Sequence, residues 1–189
     1  MTAQSHDTLS FEAREFEVTG VSNEPLFVPS TYGVLPVTSS TACWRGYMCH
    51  YIVDSEGLAL HTLWTNHDSD GMPALMGVTA NENNAERHSH RFQGQYDDLN
   101  LRLDYTGDLL VSEQQVSHEI RLHGFTWPWH FDTTFKLSFV RDRLVGRQDV
   151  SNALKVFESR YCMDGYLYGD GRCNGLRYLR RHIGYGFRF

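Results

Sequence analysis

Four side chains around the most regular segment of the chain could form a binding site. Arg45, Tyr47 and His50 lie close together in the sequence, and His61 follows after a turn. An arginine binds carboxylate or phosphate groups, and an imidazole can exchange a proton near neutral pH or ligate a metal. His50 and His61 would approach each other if the two segments pair as strands of a hairpin. These residues predict a small-molecule site in the mouth of a β-barrel or sandwich, with metal-dependent or histidine-based enzyme chemistry as one form of it.

Metal binding has to be considered because the chain contains ten histidines. His88-x-His90 could place two imidazoles on one face of a strand, which is half of a zinc site. The pair lies in a polar run, however, and no CxxC, HExxH or HxxEH motif completes a ligand set. Residues 66–71 match the first half of an EF-hand loop, but Gly77 stands where the bidentate glutamate belongs. We therefore expect no metal and no other cofactor.

Nucleophilic catalysis has little support in the sequence. Ser39, Ser40, Cys43 and Cys49 are available, but none lies in a nucleophile elbow such as GxSxG. The spacing of Cys43 and Cys49 would place both thiols on one face of a strand. At about 3.3 Å per residue they would be some 20 Å apart, too far for a mutual disulfide. We expect reduced thiols and a buried role for Cys49.

The densest aromatic cluster, residues 125–131, contains Trp127 and Trp129. Exposed tryptophans could stack on a sugar or base or anchor a protein partner. Alternatively, Pro128 marks a corner between two strands, and the tryptophans close the core there. The corner is the stronger interpretation, and a binding site at the two tryptophans is the alternative.

The elements that would position these residues are short strands separated by turns. The alternation of apolar and polar residues predicts strands over 44–53, 58–64, 99–105, from 109, 117–122, 135–139 and 144–150. Residues 9–18 alternate less regularly and are expected to form one strand or a pair of strands. This pattern is typical of an all-β, predominantly antiparallel fold, either a barrel or a sandwich. One short C-terminal helix is expected over Asn152–Arg160, with Ser151 as its N-cap.

Residues 1–160 are expected to form a single β-rich domain, in which residues 66–92 make a polar insertion loop. Residues 161–189 combine glycine, tyrosine and arginine. This composition predicts a tail outside the core, either docked on the acidic body of the protein or disordered, with nucleic-acid contact as a weaker alternative.

The residues Thr41-x-x-Trp44-Arg45-Gly46-Tyr47, followed by a turn and Leu58-x-Leu60, resemble a motif of small bacterial proteins of unknown function. The resemblance covers residues 41–150. It implies a β-rich cytoplasmic protein. No activity is established for the proteins it resembles, so the resemblance assigns no catalytic residues to this chain.

Charge and composition limit the partners. The formal net charge is −6, which argues against a nucleic-acid binder because the phosphate backbone attracts positive surfaces. The start of the chain shows no secretory signal, and no apolar run could span a membrane, so a cytoplasmic location is expected. We predict a non-enzymatic protein that binds a protein partner, for example an immunity protein that neutralises a toxin, or a small ligand. A homodimer is left open.

Overall fold

The computed structural model describes residues 3–38, 40–67, 71–82, 92–116, 124–163, 166–167, 171–184 and 187. These residues are mostly β-sheet, as predicted. The strands are β1 (Thr8–Phe11), β2 (Arg14–Val21), β3 (Tyr47–Val53), β4 (Leu58–Thr65), β5 (Gly94–Tyr96), β6 (Leu101–Arg102), β7 (Gly107–Gln115), β8 (Phe131–Val140), β9 (Arg143–Asp149), β10 (Cys162–Met163) and β11 (Tyr166–Leu167). The helices are α1 (Ser151–Tyr161) and α2 (Gly171–His182), and two short 3-10 turns cover Pro29–Tyr32 and Pro128–His130.

Within the described part of the chain, nine strands form one mixed sheet in the order β5-β4-β3-β1-β2-β7-β8-β9, and β6 pairs with β4. The sheet is antiparallel except between β1 and β3, which run parallel. The remaining pair, β10 and β11, forms a separate two-stranded ribbon. The N-terminal hairpin β1–β2 therefore lies in the middle of the large sheet.

The sheet curls but does not close into a barrel. The turn between β8 and β9 approaches the start of β4, although β9 and β4 lie near opposite ends of the strand order. The Leu58 N–H donates to the Asp142 carbonyl at 2.9 Å, and the Asp142 N–H donates to the Tyr105 carbonyl at 2.8 Å. The predicted all-β, predominantly antiparallel class is confirmed, and of its two predicted forms the closed barrel is not formed by the described strands.

Two of the three hairpins that the alternation predicts are confirmed. Strands β3 and β4 pair across the Asp54–Gly57 turn, and β8 pairs with β9 across Arg141 and Asp142. Both of these turn residues have positive φ, and Gly57 has φ 130°. The alternation in the sequence succeeded here because each strand meets its neighbour along the chain.

The predicted start of β3 at Trp44 is wrong. The strand begins at Tyr47, and Gly46 turns the chain with φ 74° so tightly that a Cβ would lie 2.4 Å from the Val37 carbonyl oxygen. Trp44 is consequently 50% exposed. Cys43 also precedes the strand, so the two cysteines do not share a strand face: Cys43 packs with Met48 on one side of the sheet, whereas Cys49 belongs to the main core on the other.

The predicted strand over 99–105 is largely replaced by irregular backbone. Only Leu101–Arg102 pairs, and it pairs with β4 instead of forming a hairpin with the return strand β7. Asp98 and Asn100 have positive φ, which interrupts a strand, although Leu103 and Tyr105 are buried as the alternation indicated. The predicted strand over 117–122 lies outside the described residues.

The helix prediction is confirmed, but its cap is not. Ser151 is the first residue of α1 and Val150 occupies the N-cap position. The Ser151 hydroxyl instead donates to Asp149 and accepts the N–H of Thr134 at 2.9 Å. It thereby ties the helix to β8.

The two largest hydrophobic clusters of the described residues lie on opposite faces of the sheet. The larger one contains inward-facing residues of the strands such as Leu9, Phe16, Tyr51 and Leu137. The second contains Leu110 of β7 together with residues of α1 and α2, namely Val150, Leu154, Phe157, Leu179 and Ile183. The helices therefore cover the outer face of the sheet. Neither α1 nor α2, the helices of the described residues, has the length and hydrophobicity to cross a membrane.

The regions predicted as insertion and tail both contribute packed residues where they are described. Leu75, within the insertion, is fully buried, and the Tyr96 hydroxyl donates to the Pro73 carbonyl at 2.5 Å. In the C-terminal segment, Leu179 and Ile183 of α2 are buried against α1.

Candidate functional site

A cavity of about 260 Å³ opens on the face of the sheet that carries the larger core cluster. Strand β2, the start of β3 and the chain on either side of the β1–β2 hairpin form its walls. Its apolar lining comes from Val18, Val21, Pro25, Leu26, Phe27 and Phe125. Its polar lining comes from His6, Asp7, Thr19, Glu24, Arg45, Tyr47 and Tyr51. The volume is just below the roughly 300–1,000 Å³ of typical small-molecule pockets, and apolar walls with a few convergent polar groups are their usual composition.

Asp7 and Arg45 form a two-bond ion pair in the wall of the cavity. The Arg45 Nη2 group donates to Asp7 Oδ1 at 2.8 Å, and Nη1 donates to Oδ2 at 3.1 Å. The Cys49 backbone N–H donates to Oδ1 as well, at 2.8 Å. Burial alone would lower the pKa of Arg45, but the Asp7 carboxylate outweighs it and the pKa is raised. The Arg45 guanidinium therefore keeps its charge in the cavity wall.

Backbone hydrogen bonds bring this pair together from distant parts of the sequence. The Ser5 N–H donates to the Ala42 carbonyl, and the Gln4 side chain bridges Thr41 and Trp44. Residues 4–7 therefore run along residues 41–49 before β1 begins its parallel pairing with β3. This pairing places the Asp7 carboxylate next to Arg45.

Aromatic rings flank the Arg45 guanidinium. Its central carbon lies 4.8 Å from the centre of the Tyr47 ring and 5.9 Å from that of Phe125. Burial raises the pKa of Tyr47 to about 12, so its hydroxyl stays protonated at neutral pH and donates to the Phe27 carbonyl at 3.4 Å. Arginine over an aromatic face is a favourable arrangement that also restrains the side chain.

His6 lies at the back of the cavity, and both of its ring nitrogens face backbone carbonyl oxygens. Nδ1 is 3.1 Å from the Val18 oxygen, and Nε2 is 3.0 Å from the Thr126 oxygen. Burial lowers the pKa of His6, against the opposing influence of the two carbonyls and Asp7. The neutral ring donates to one of these carbonyls, which links the cavity wall to residues 124–126.

The other two predicted site residues lie away from the cavity. The structure brings His50 and His61 together, with ring centres 6.0 Å apart, as the hairpin register predicted. Their partners are polar: His50 contacts the hydroxyls of Thr8 and Ser10, and His61 lies 3.3 Å from Asp98. Burial lowers the pKa of His50. Arg45 and Tyr47 therefore share a site that does not include the two histidines.

Trp127 and Trp129 belong to the second hydrophobic cluster, between the sheet and the two helices. Trp129 is 3% exposed, and its ring centre lies 4.9 Å from that of Phe157 in α1. Trp127 is partly buried, and its ring centre lies 4.5 Å from that of Trp129, with the ring planes tilted by 54°. The two rings therefore join the sheet to α1, and the strand that was predicted before the corner lies outside the described residues.

The described thiols are poorly suited to nucleophilic chemistry. Burial raises the pKa of Cys49 well above its usual value, raises that of Cys43, and raises that of Cys162 to about 11. These three cysteines are free, as expected. In the described ranges no group of three or more His, Cys, Asp and Glu side chains is placed to hold a metal ion. The candidate ligands His88 and His90 lie outside those ranges.

Sequence reasoning missed His6, Asp7 and Phe27 as members of the site, and it singled out Phe125 only as part of the aromatic cluster 125–131. No local pattern marks the first three, because they precede or follow strands and reach the cavity only through long-range pairing. At Asp7 the sequence offers one signal, a charged residue just before a strand in which apolar and polar residues alternate.

Comparison of the chain with protein-family models, curated protein sequences and solved structures gave no significant match. The resemblance of residues 41–150 to small bacterial proteins with a TxxWRGY motif stays a prediction.

Proposed function

We propose that the protein binds a small, mainly apolar molecule in the cavity beside Arg45 and Asp7. The observation that carries the proposal is a charged pair fixed by hydrogen bonds in the wall of a mainly apolar cavity. Ionic groups in such a position are costly to desolvate and are commonly associated with recognition.

The state of the polar groups supports binding more than catalysis. The Asp7 carboxylate accepts three hydrogen bonds, and the imidazole of His6 faces two backbone carbonyls. Tyr47 has a raised pKa, so it is a poor base at neutral pH. A general base needs a pKa near the working pH and a free lone pair directed at the substrate.

Native mass spectrometry of the full chain, purified from its host without chelator, tests this proposal. The expected result is a mass excess that is released on denaturation. The variant Val21→Phe places a ring in the cavity and should lose the excess, whereas Val53→Phe, at a partly buried core position outside the cavity, should keep it. Circular dichroism would show that both variants are folded. An excess that survives in Val21→Phe, or its absence in the native protein, contradicts the proposal.

A second candidate is the binding of a protein partner, such as a toxin neutralised by this chain. The exposure of two large apolar side chains on adjacent segments favours it: Leu35 is 60% exposed and Trp44 is 50% exposed. The Thr38 hydroxyl donates to the Trp44 carbonyl at 2.5 Å, which holds the two segments together. The acidic surface would speed association with a basic partner. Trp44→Ala should weaken capture of such a partner, and unchanged capture would exclude this surface.

A further inference from the structure

The charge of the cavity indicates what class of ligand it can accept. Arg45 carries the positive charge, and both oxygens of Asp7 neutralise it at hydrogen-bonding distance. Asp7 is only 11% exposed, so solvent screens this pairing weakly. A ligand therefore meets a neutral pair where the sequence alone suggests a cation.

The other ionisable groups of the lining add no positive charge. His6 is neutral because burial lowers its pKa, and Tyr47 keeps its phenolic proton. Glu24 lies at the exposed rim of the cavity, where it adds negative charge. An anionic ligand would lose its hydration without gaining a counterion, which is strongly unfavourable.

The same pair still offers hydrogen-bond donors. A guanidinium has five N–H groups; Asp7 accepts from two of them, and the guanidinium also makes a side-chain hydrogen bond with Tyr47. The remaining donors can bind an acceptor atom of a ligand. The rings of Tyr47, Phe125 and Phe27 supply flat apolar walls around this point.

We propose that the ligand of the cavity is an uncharged, flat, mainly apolar molecule with a carbonyl-type acceptor that binds Arg45. This inference rests on the proposed small-molecule function and specifies its ligand class. Asp7 is then the residue that sets the specificity, because it removes the charge of Arg45 while leaving donors on the guanidinium.

Three probes of one shape test the proposal: 2-naphthamide, 2-naphthoate and 2-naphthylmethylammonium, which are neutral, anionic and cationic. Their dissociation constants would be measured by NMR chemical-shift titration of the full-length protein at pH 7.5. We expect 2-naphthamide to bind at least about tenfold more tightly than either charged probe, a difference of about 1.4 kcal/mol. Tighter binding of either charged probe overturns the inference.

Two variants test the cause of the preference. Asp7→Asn removes the neutralising charge and should reverse the preference toward 2-naphthoate. Glu24→Gln lies on the exposed rim, where folding is not at risk, and should raise the affinity for 2-naphthoate a few-fold. The matched control Glu12→Gln removes an equal charge that does not line the cavity, and it should change nothing. A preference unchanged in both cavity variants overturns the assignment to Asp7.

The titration also separates this inference from the proposed function. If none of the three probes shifts signals of the cavity residues, the cavity is not a small-molecule site and both proposals fail. If 2-naphthoate binds there most tightly, the cavity remains a binding site and only the ligand class is wrong.

Discussion

At the scale of single residues, the Asp7–Arg45 pair dominates the candidate site. Removing either partner would leave the other as an uncompensated charge in the cavity wall. Breaking a buried ion pair costs about 3–5 kcal/mol, whereas exposed pairs contribute about 0–1 kcal/mol. The Arg45 side chain is 34% exposed, so solvent reduces the cost of losing it.

Replacing Arg45 with methionine should lower the free energy of unfolding by about 2 kcal/mol, because Asp7 then retains only the Cys49 N–H. The matched control is Lys155→Met, which breaks an ion pair to Asp132 whose side chains are both about half exposed. That variant should change stability by less than about 0.5 kcal/mol. Urea unfolding followed by fluorescence measures both, and equal losses would show that the Asp7–Arg45 pair behaves as a surface pair.

Stability should fall between pH 7.5 and pH 5.5 because burial lowers the pKa values of His6 and His50 in the folded state. Below their ordinary value of 6.5 the unfolded chain binds more protons than the folded one, so protonation favours unfolding. Burial raises the pKa of Glu17, which acts in the opposite direction nearer to 4.5. Urea titrations should therefore stop at pH 5.5.

The variants His6→Gln and His50→Gln should each flatten this pH dependence. Stability that is constant between pH 7.5 and pH 5.5 would show that folding leaves the pKa values of the two rings unchanged, and stability that is higher at pH 5.5 would show that folding raises them. The two carbonyl partners of His6 would then be the dominant influence on its pKa.

At the scale of elements, the contact between α1 and α2 depends on one glycine. Gly175 lies against α1, and a Cβ there would meet Phe157 at 3.1 Å and Tyr161 at 3.3 Å. The absence of a side chain allows the two helices to approach closely. Glycine is otherwise unfavourable inside a helix, by about 1 kcal/mol relative to alanine.

Gly175→Leu should push α2 away from α1 and lower the free energy of unfolding by about 2 kcal/mol through overpacking. Amide hydrogen exchange should accelerate in α2 more than in the sheet. Asn174→Leu, at the neighbouring exposed position, is the control and should leave exchange unchanged. Equal protection of α2 in both variants would contradict the importance of this contact.

The elements also show how far sequence reasoning reaches. The hairpins β3–β4 and β8–β9 were predictable because alternation and turn residues are local signals. The parallel pairing of β1 with β3 was not predictable, since it joins segments that are distant in the sequence. The Asp7–Arg45 contact depends on this pairing and was therefore missed as well. Helix α2 was hidden by the glycines of its sequence, one of which serves the close approach to α1.

At the scale of the whole molecule, the curl of the sheet depends on the contact between its distant parts. Gly57, at the β3–β4 turn, touches the β8–β9 turn: a Cβ at this position would lie 2.7 Å from the Asp142 carbonyl oxygen. The neighbouring Leu58–Asp142 hydrogen bond and the Arg143–Ser55 hydrogen bond hold the same place together.

Gly57→Ala should therefore destabilise the protein by about 3 kcal/mol, through backbone strain at φ 130° and through displacement of Asp142. Gly33→Ala is the matched control, since Gly33 also has positive φ, at 80°, but nothing lies within 4 Å of its Cβ position. It should cost about 1 kcal/mol from strain alone. Equal losses in urea unfolding would mean that the contact between the two turns contributes nothing.

The central position of the β1–β2 hairpin has a consequence for the order of folding. The hairpins β3–β4 and β7–β8 connect neighbours in sequence and can form early, but β2 pairs with β7 only after a long loop closes. Until the N-terminal hairpin inserts, the inner edges of both halves remain unpaired and can capture strands of other chains. Refolding yield should thus depend on protein concentration, even though the native sheet keeps these same edges covered.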